Sequence, residues 1–261
     1  MKYVVMDLET TGKIPATDAI IEIAAIKING ESEKRFCEIL KPRIPIEPQA
    51  FDLHGISTKQ AQEEGKLPEL VLKEFLNFIE DYPLVAQHGV PFDFPLFAHE
   101  LKRYAIVPRP NRLLDTKALA EYHWKLTEHN LAALCNYLSI KNERAHRALP
   151  DTKACAKVFE KLLEKESNFD TLWRTCLGYT LRTVSEIPLN SPLLQQSLQQ
   201  GKDLCISYQG AQDKMPRERW IKPLGIVPSF KGHPSMWATC FEENKDKSFR
   251  LDRVKQFVRV R

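Results

Sequence analysis

Three strand-like runs crowd into the first forty residues: Tyr3–Asp7 (YVVMD), Ile20–Ile28 (IIEIAAIKI) and Arg35–Leu40 (RFCEIL). The short gaps between them leave room only for tight connections, so the three should lie side by side as an antiparallel meander. The pattern then changes to strand and helix in alternation. Leu67–Glu80 carries helical periodicity through Leu70, Leu72, Phe75, Leu76, Phe78 and Ile79. Leu84–Ala86 is a short apolar run, Phe92–Tyr104 is helical, and Leu113–Leu114 before Asp115 reads as a last strand. Helices over Thr116–Trp124, His129–Leu138 and Pro150–Lys165 follow. A meander continued by strand–helix units predicts an α/β fold, a mixed sheet flanked by helices.

The texture shifts after residue 165. A helix around Phe169–Arg182 leads into EIPLNSP, where Pro188 and Pro192 mark a linker, and a short helix Leu193–Gln199 ends at Gly201. Beyond it Leu204–Tyr208, Trp220–Val227, Met236–Phe241 and Phe249–Val254 read as short strands between turns, which predicts a small β-barrel-like domain. The expected division is 1–165, a helix and linker at 166–192, and 193–261. With 43% hydrophobic and 28% charged residues, 261 residues can bury one large core or two smaller ones. No apolar run is long enough to span a bilayer, and MKYVVMDLET runs directly into a strand instead of a signal-peptide core, so a cytoplasmic protein without a membrane partner is expected. Cys37, Cys135, Cys155, Cys176, Cys205 and Cys240 are scattered without C-x-x-C spacing and read as reduced, mostly buried thiols.

Charge is uneven. Residues 201–261 hold 13 Lys and Arg against 7 Asp and Glu, a net of +6, while the first 200 residues stand at −2. A solvated basic face and a phosphate-binding surface are equally open readings of that tail. In the first part, Asp7 and Glu9 stand two apart at a strand end, so both carboxylates share one face. Such a pair repels itself unless a cation neutralises it, and hard oxygen ligands suit Mg²⁺ or Mn²⁺. Asp93, after the Leu84–Ala86 strand, can face the same edge. Pro150 is a natural first-turn residue, which places Asp151 in the first turn of a helix and His146 on the loop before it. Taken singly, each has a plainer use: a solvated strand exit, a helix N-terminal acid, an exposed loop histidine.

Their order carries a resemblance. D-L-E-T-T-G (Asp7–Gly12), H-G-I-S (His54–Ser57), V-A-Q-H-G-V-P-F-D (Val85–Asp93), L-D-T (Leu114–Thr116) and H-R-A-L-P-D (His146–Asp151) together resemble the DEDDh 3′–5′ exonucleases, over about residues 1–165. This superfamily takes in polymerase proofreading subunits, oligoribonuclease and ribonuclease T. The resemblance implies a ribonuclease-H-like fold in which Asp7, Glu9, Asp93 and Asp151 hold two divalent ions, Mg²⁺ or Mn²⁺, and His146 is the general base. Leu8, Thr10, Thr11, His54 and Phe92 stand where that family binds the terminal nucleotide. One departure is His88-Gly89, where members often carry His-Asn.

The residue types suit the chemistry. Hydrolysis of a phosphodiester needs a deprotonated water and relief of charge on the leaving oxygen, which paired divalent ions supply, while an imidazole, titrating near roughly 6.5, can take and return the proton. The implied partner is a nucleic acid with a free 3′ end, single-stranded by preference, and the implied product a 5′-mononucleotide. In the tail, LCISYQG (Leu204–Gly210), RERWIKPL (Arg217–Leu224) and FRLDRV (Phe249–Val254) resemble the WYL domain, although Pro234–Met236 replaces its naming triplet. That resemblance implies nucleic-acid or ligand contacts by Tyr208, Arg217, Arg219, Arg250 and Arg253. Pairing of Arg250 and Arg253 with Asp252 and Glu218 is the alternative, and a homodimer contact is a further use open to this surface. Two other functions stay open: a binding protein on a vestigial nuclease scaffold, and an endonuclease, which would cut circular strands.

Overall fold

The computed structural model describes residues 1–143, 145–187, 189–229 and 231–261; the linker residue Pro188 lies outside the described residues. The chain forms two compact units, Met1–Ser185 and Glu186–Arg261. The first is built on a five-stranded sheet of order β3-β2-β1-β4-β5, with β1 at Lys2–Thr10, β2 at Ile20–Asn29, β3 at Ser32–Ile39, β4 at Leu84–Ala86 and β5 at Leu113–Asp115. β1, β2 and β3 are the antiparallel meander, whereas β4 and β5 join in parallel beside β1. The sheet is therefore mixed.

Alternation along β1 assigns its two faces. Val4, Met6 and Leu8 enter a core with Val71, Leu72, Phe75 and Leu76 of α3 (Pro68–Ile79) and Phe94, Phe97 and Leu101 of α4 (Asp93–Arg103). Phe75 is fully enclosed and meets Phe97 edge to face at 5.2 Å; burying each such ring contributes about 2–3 kcal/mol. Tyr3, Val5, Asp7 and Glu9 take the opposite face, where α7 (Ala148–Leu163) packs and Phe159 meets Tyr3 at 5.0 Å. The two strand acids thus look toward the helix that carries the third.

Two short helices escape sequence reading: α1 (Pro48–His54), closed by Gly55 at φ 73°, and α2 (Thr58–Glu64), whose N-cap Ser57 accepts the Gln60 N–H. The H-G-I-S motif is the corner between them. Near the end of the unit the structure corrects the expected helix Phe169–Arg182. α8 spans only Phe169–Thr175, because Leu177 and Gly178 both turn to positive φ and the chain then runs extended beside β5, with the Leu113 N–H donating to the Tyr179 carbonyl. α5 (Thr116–His123) and α6 (Leu131–Tyr137) complete the unit.

The second unit opens with α9 (Pro192–Gln200), capped by Ser191 and by Gly201 at φ 63°. Five antiparallel strands follow in order β10-β6-β7-β8-β9: β6 Leu204–Tyr208, β7 Arg217–Val227, β8 Ser235–Cys240, β9 Lys245–Arg250 and β10 Val254–Val260. The expected single strand Phe249–Val254 is two strand ends joined by a 3₁₀ turn, Leu251–Arg253. Because β9 and β10 occupy opposite edges yet are joined by three residues, the sheet has to curl until its ends meet at that corner, a barrel-like form. All six cysteines are free, and only Cys37 among them is exposed. Among the described residues no helix is long and apolar enough to cross a membrane.

Candidate active site

The period of two in β1 brings Asp7 and Glu9 to one side, and the first turn of α7 brings Asp151 to meet them. One carboxylate oxygen from each lies within 4.8 Å of the others. Asp93, the first residue of α4, is 4% exposed; crowding places its charge among the strongest acting on Asp7. A hollow of about 190 Å³ is lined by all four acids together with Leu8, Gln87, His88, Phe92 and His146.

Burial first, then repulsion, governs these groups as bare carboxylates. Enclosure, with Asp93 and Glu9 nearby, raises Asp7 well above the usual range. Enclosure, then Asp151, pushes Glu9 up to about 8. Enclosure pushes Asp93 to about 7, against the opposing pull of its own and the Leu8 backbone N–H. Four acids so close are costly unless a cation offsets them, and an all-oxygen donor set of this kind fits a hard divalent ion.

The histidine loop is held from two sides. Both oxygens of Asp151 accept hydrogen bonds, from the His146 backbone N–H at 2.8 Å and from Asn142 Nδ2 at 2.5 Å. His146 itself sits at φ 62° with its side chain exposed, bordering the acidic hollow. Glu22, 2% exposed and directly across from Glu9 in the β1–β2 register, accepts from Arg147 Nε at 3.0 Å, from Arg147 Nη2 at 2.5 Å and from the Ala148 N–H at 2.9 Å. One buried carboxylate thereby anchors the residue after His146 and the start of α7.

Beside the acids lies a second cleft of about 210 Å³, lined by Leu8, Glu9, Thr10, Gly12, Lys13, Leu53, His54, Phe92 and His146 among others. Leu8, Thr10, His54 and Phe92 reach it. Thr11 does not: it is fully buried, its hydroxyl donating to Asp18 Oδ1 at 2.8 Å and accepting the Ala19 N–H at 3.0 Å. Its place is beneath the loop, and the expectation that it lines the cleft is corrected accordingly. Gly12 follows from the same packing, since a Cβ there would meet the Asp18 carboxylate at 2.7 Å. His54 Nδ1 accepts the Ile56 N–H at 3.0 Å, and burial lowers its pKa, so the ring is neutral with its proton on Nε2.

The structure also accounts for His88-Gly89. A Cβ on Gly89 would stand 2.5 Å from that of Ala86 and 2.8 Å from the Phe94 ring. Asp115, wholly buried and pushed to about 6 by that burial, accepts the His88 and Val90 N–H groups at 3.2 and 3.0 Å and those of Lys117 and Ala118 at 2.9 and 3.2 Å. The L-D-T motif is thus the anchor of the loop leading into Asp93.

Residues 4–159, more than half of the chain, match the family model RNase_T, described as Exonuclease. The chain belongs to this exonuclease family. Residues 191–259 match the WYL domain. Among curated proteins, DNA polymerase III PolC-type of Thermotoga maritima is 34% identical over 163 residues, which is 62% of this chain and 12% of that protein. The PolC-type protein of Caldanaerobacter subterraneus is 33% identical over 199 residues, 76% of this chain and 13% of the relative. The chain thus spans about an eighth of the length of these relatives. In fold it is similar to Exonuclease X in complex with 5′ overhanging duplex DNA, with TM-score 0.54, 20% identity and coverage of 66% of this chain and 98% of that one. It is similar also to E. coli Exonuclease I in complex with a dA16 oligonucleotide, with TM-score 0.57, 19% identity and coverage of 91% and 55%.

Within the exonuclease unit, sequence reading missed Glu22 and Asn142. Glu22 offered a signal, an acid in the middle of the apolar run IIEIAAI, but its partner Arg147 lies 125 residues on. Changing Glu22 to Gln removes the charge that Arg147 requires, and should cost about 2 kcal/mol of stability. Urea denaturation of the metal-free protein measures this; a midpoint equal to the parent's would deny Glu22 its anchoring role.

In the WYL unit the tail residues divide. Tyr208 is 9% exposed, its ring edge-on to Phe249 at 5.1 Å inside the core, which corrects its expected place on a ligand-facing surface. Arg250 is committed to Asp252 through two bonds of 3.0 and 2.6 Å, and Arg219 to Glu243 at 3.4 Å. Arg217 is exposed and Arg253 half-buried. Phe241 is exposed in this unit, and the Arg261 guanidinium lies 5.7 Å from its ring centre and 4.2 Å from that of half-buried Trp220.

Proposed function

We propose that this chain removes nucleotides one at a time from the 3′ end of a nucleic acid by metal-dependent hydrolysis, releasing 5′-mononucleotides. The observation that carries the reading is convergence: four acids from β1, α4 and α7 meet at one hollow, and His146 borders both that hollow and the adjoining nucleotide-sized cleft. Asp7, Glu9, Asp93 and Asp151 would hold two ions, Mg²⁺ or Mn²⁺. When bound, such ions lower the charge on the scissile phosphate and acidify water.

The chain's own residues supply the rest. Leu8, Thr10, His54 and Phe92 receive the terminal nucleoside, and neutral His54 presents an N–H donor to it. His146, exposed at the rim of the hollow, takes the proton of the attacking water. Asp151 and Glu22 hold the backbone of that loop at the start of α7. The substrate is assigned as a single strand or overhang, the kinds of ligand in the solved Exonuclease I and X complexes.

The test uses a 5′-labelled linear strand and a circular one, with Mg²⁺ or Mn²⁺. A ladder shortening by single nucleotides on the linear strand, an intact circle and inhibition by EDTA support the reading. Cutting of the circle would make the enzyme an endonuclease. The basic second unit is assigned to substrate affinity. A chain stopped at Ser185 should keep its chemistry and lose affinity. Its log–log salt slope should be flatter than the parent's by about 0.7 for each phosphate the tail contacts. Equal slopes in Ca²⁺ binding assays would remove the tail from the substrate path.

A further inference from the structure

Three concavities follow one another across the first unit. The terminal cleft and the acidic hollow share Leu8, Glu9, Phe92 and His146. A third, of about 260 Å³, is lined by Lys141, Glu143, Pro150, Lys153 and Lys157. It borders the hollow through chain neighbours: Asp151 follows Pro150, and Asn142, bonded to Asp151, stands between Lys141 and Glu143. Asn142 turns to Asp151, while Lys141 and Glu143 on either side of it line the groove. On α7, Pro150, Lys153 and Lys157 fall at i, i+3 and i+7, along a single face.

Lysine outnumbers acid among the described residues of this groove. Lys141, Lys153 and Lys157 are all exposed, and none joins an ion pair among the described residues, whereas Lys161 one turn on is held by Glu164 at 2.7 Å. Glu143 is the single acid in the lining among the described residues. Three ammonium groups gathered around a concavity repel one another, and a strand of phosphates offsets that repulsion, each lysine acting as a point charge.

We propose that this groove binds the phosphates of the substrate strand upstream of the scissile bond. The proposal rests on the exonuclease reading: with the 3′-terminal nucleoside in the first cleft and the scissile phosphate at the acids, the rest of the strand leaves on the far side, over the Asn142 segment into the groove. Contacts made by lysines to phosphate carry no base information, so the enzyme should shorten strands with little regard to sequence. Substrates should also need several nucleotides to bind well.

The experiment compares the full chain with K153E/K157E and with the milder K153Q/K157Q, on a thymidine 12-mer and on the dinucleotide TpT, which has no phosphate upstream of the one cut. For the 12-mer, the charge-reversal pair should raise KM about tenfold at 0.1 M salt, leave kcat within about twofold and flatten the salt slope by about 0.7 per lysine engaged. The glutamine pair should move KM in the same direction by less. TpT should keep the parent's KM. An unchanged 12-mer KM and slope in both variants, or an equal rise for the 12-mer and TpT, would overturn the proposal. A parent that cuts neither substrate would defeat the exonuclease reading instead; binding of fluorescein-labelled 12-mer in Ca²⁺, compared between parent and variants, then still decides the groove.

Discussion

Replacing Asp7 by asparagine should lower strand shortening by about 10³-fold or more, because the proposed pair of divalent ions, which would supply several kcal/mol of transition-state stabilisation, could no longer be held. The same change should stabilise the metal-free protein. Asp7, Glu9 and Asp93 all have folded pKa values above those of the unfolded chain, Glu9 at about 8 and Asp93 at about 7, against unfolded values near roughly 4. Carboxylates shifted in this direction leave stability intact below the unfolded pKa and remove it as pH rises through the folded one. In EDTA the parent's melting temperature should therefore fall between about pH 5 and pH 8, and Mg²⁺ should restore it by binding the folded state. Asp7→Asn should flatten the fall and lose the Mg²⁺ effect, each 1 kcal/mol of relief raising Tm by roughly 2–4 °C. A melting curve independent of pH, or near-parental turnover by the variant, would contradict the assignment of Asp7.

Changing His146 to alanine should slow hydrolysis by about 10²–10⁴-fold at neutral pH, the usual worth of a positioned base. Its metal affinity should persist, because the bond from residue 146 to Asp151 comes from the backbone N–H, which alanine keeps. The positive φ of 62° at this position does count against alanine, so a small loss of stability accompanies the change. Steady-state rates across pH 6–9, with Mn²⁺ binding measured alongside, separate lost chemistry from lost metal. Parental rates across that range would take the base role away from His146.

What could be read from sequence was whatever depends on local period and order. Asp7 and Glu9 share a face because a strand repeats every two residues, and Asp151 begins a helix because Pro150 favours a first turn. The meander and the later strand–helix units follow from the same periodicities. Groups defined by distant partners were not legible. Glu22 looks like an odd acid in a strand until Arg147 arrives across the fold, and Asp115 reads as a helix cap until its carboxylate is seen holding His88 and Val90 as well. Thr11 and Tyr208 were misplaced for the opposite reason. Each carries a polar atom that suits a binding surface, but burial is decided by neighbours from other elements, Asp18 in one case and Phe249 in the other. The expected helix to Arg182 failed at Leu177, a non-glycine residue at positive φ that no local pattern announces.

The proposed function requires that Asp7, Glu9, Asp93 and Asp151 hold two divalent ions beside His146. Isothermal titration of Mn²⁺ into the parent, with thymidine 5′-monophosphate present as the product that fills the terminal cleft, tests this most directly. Two ions per chain are expected for the parent, and at most one for Asp7→Asn or Asp151→Asn. No binding by the parent, or a stoichiometry unchanged by either substitution, would contradict the account.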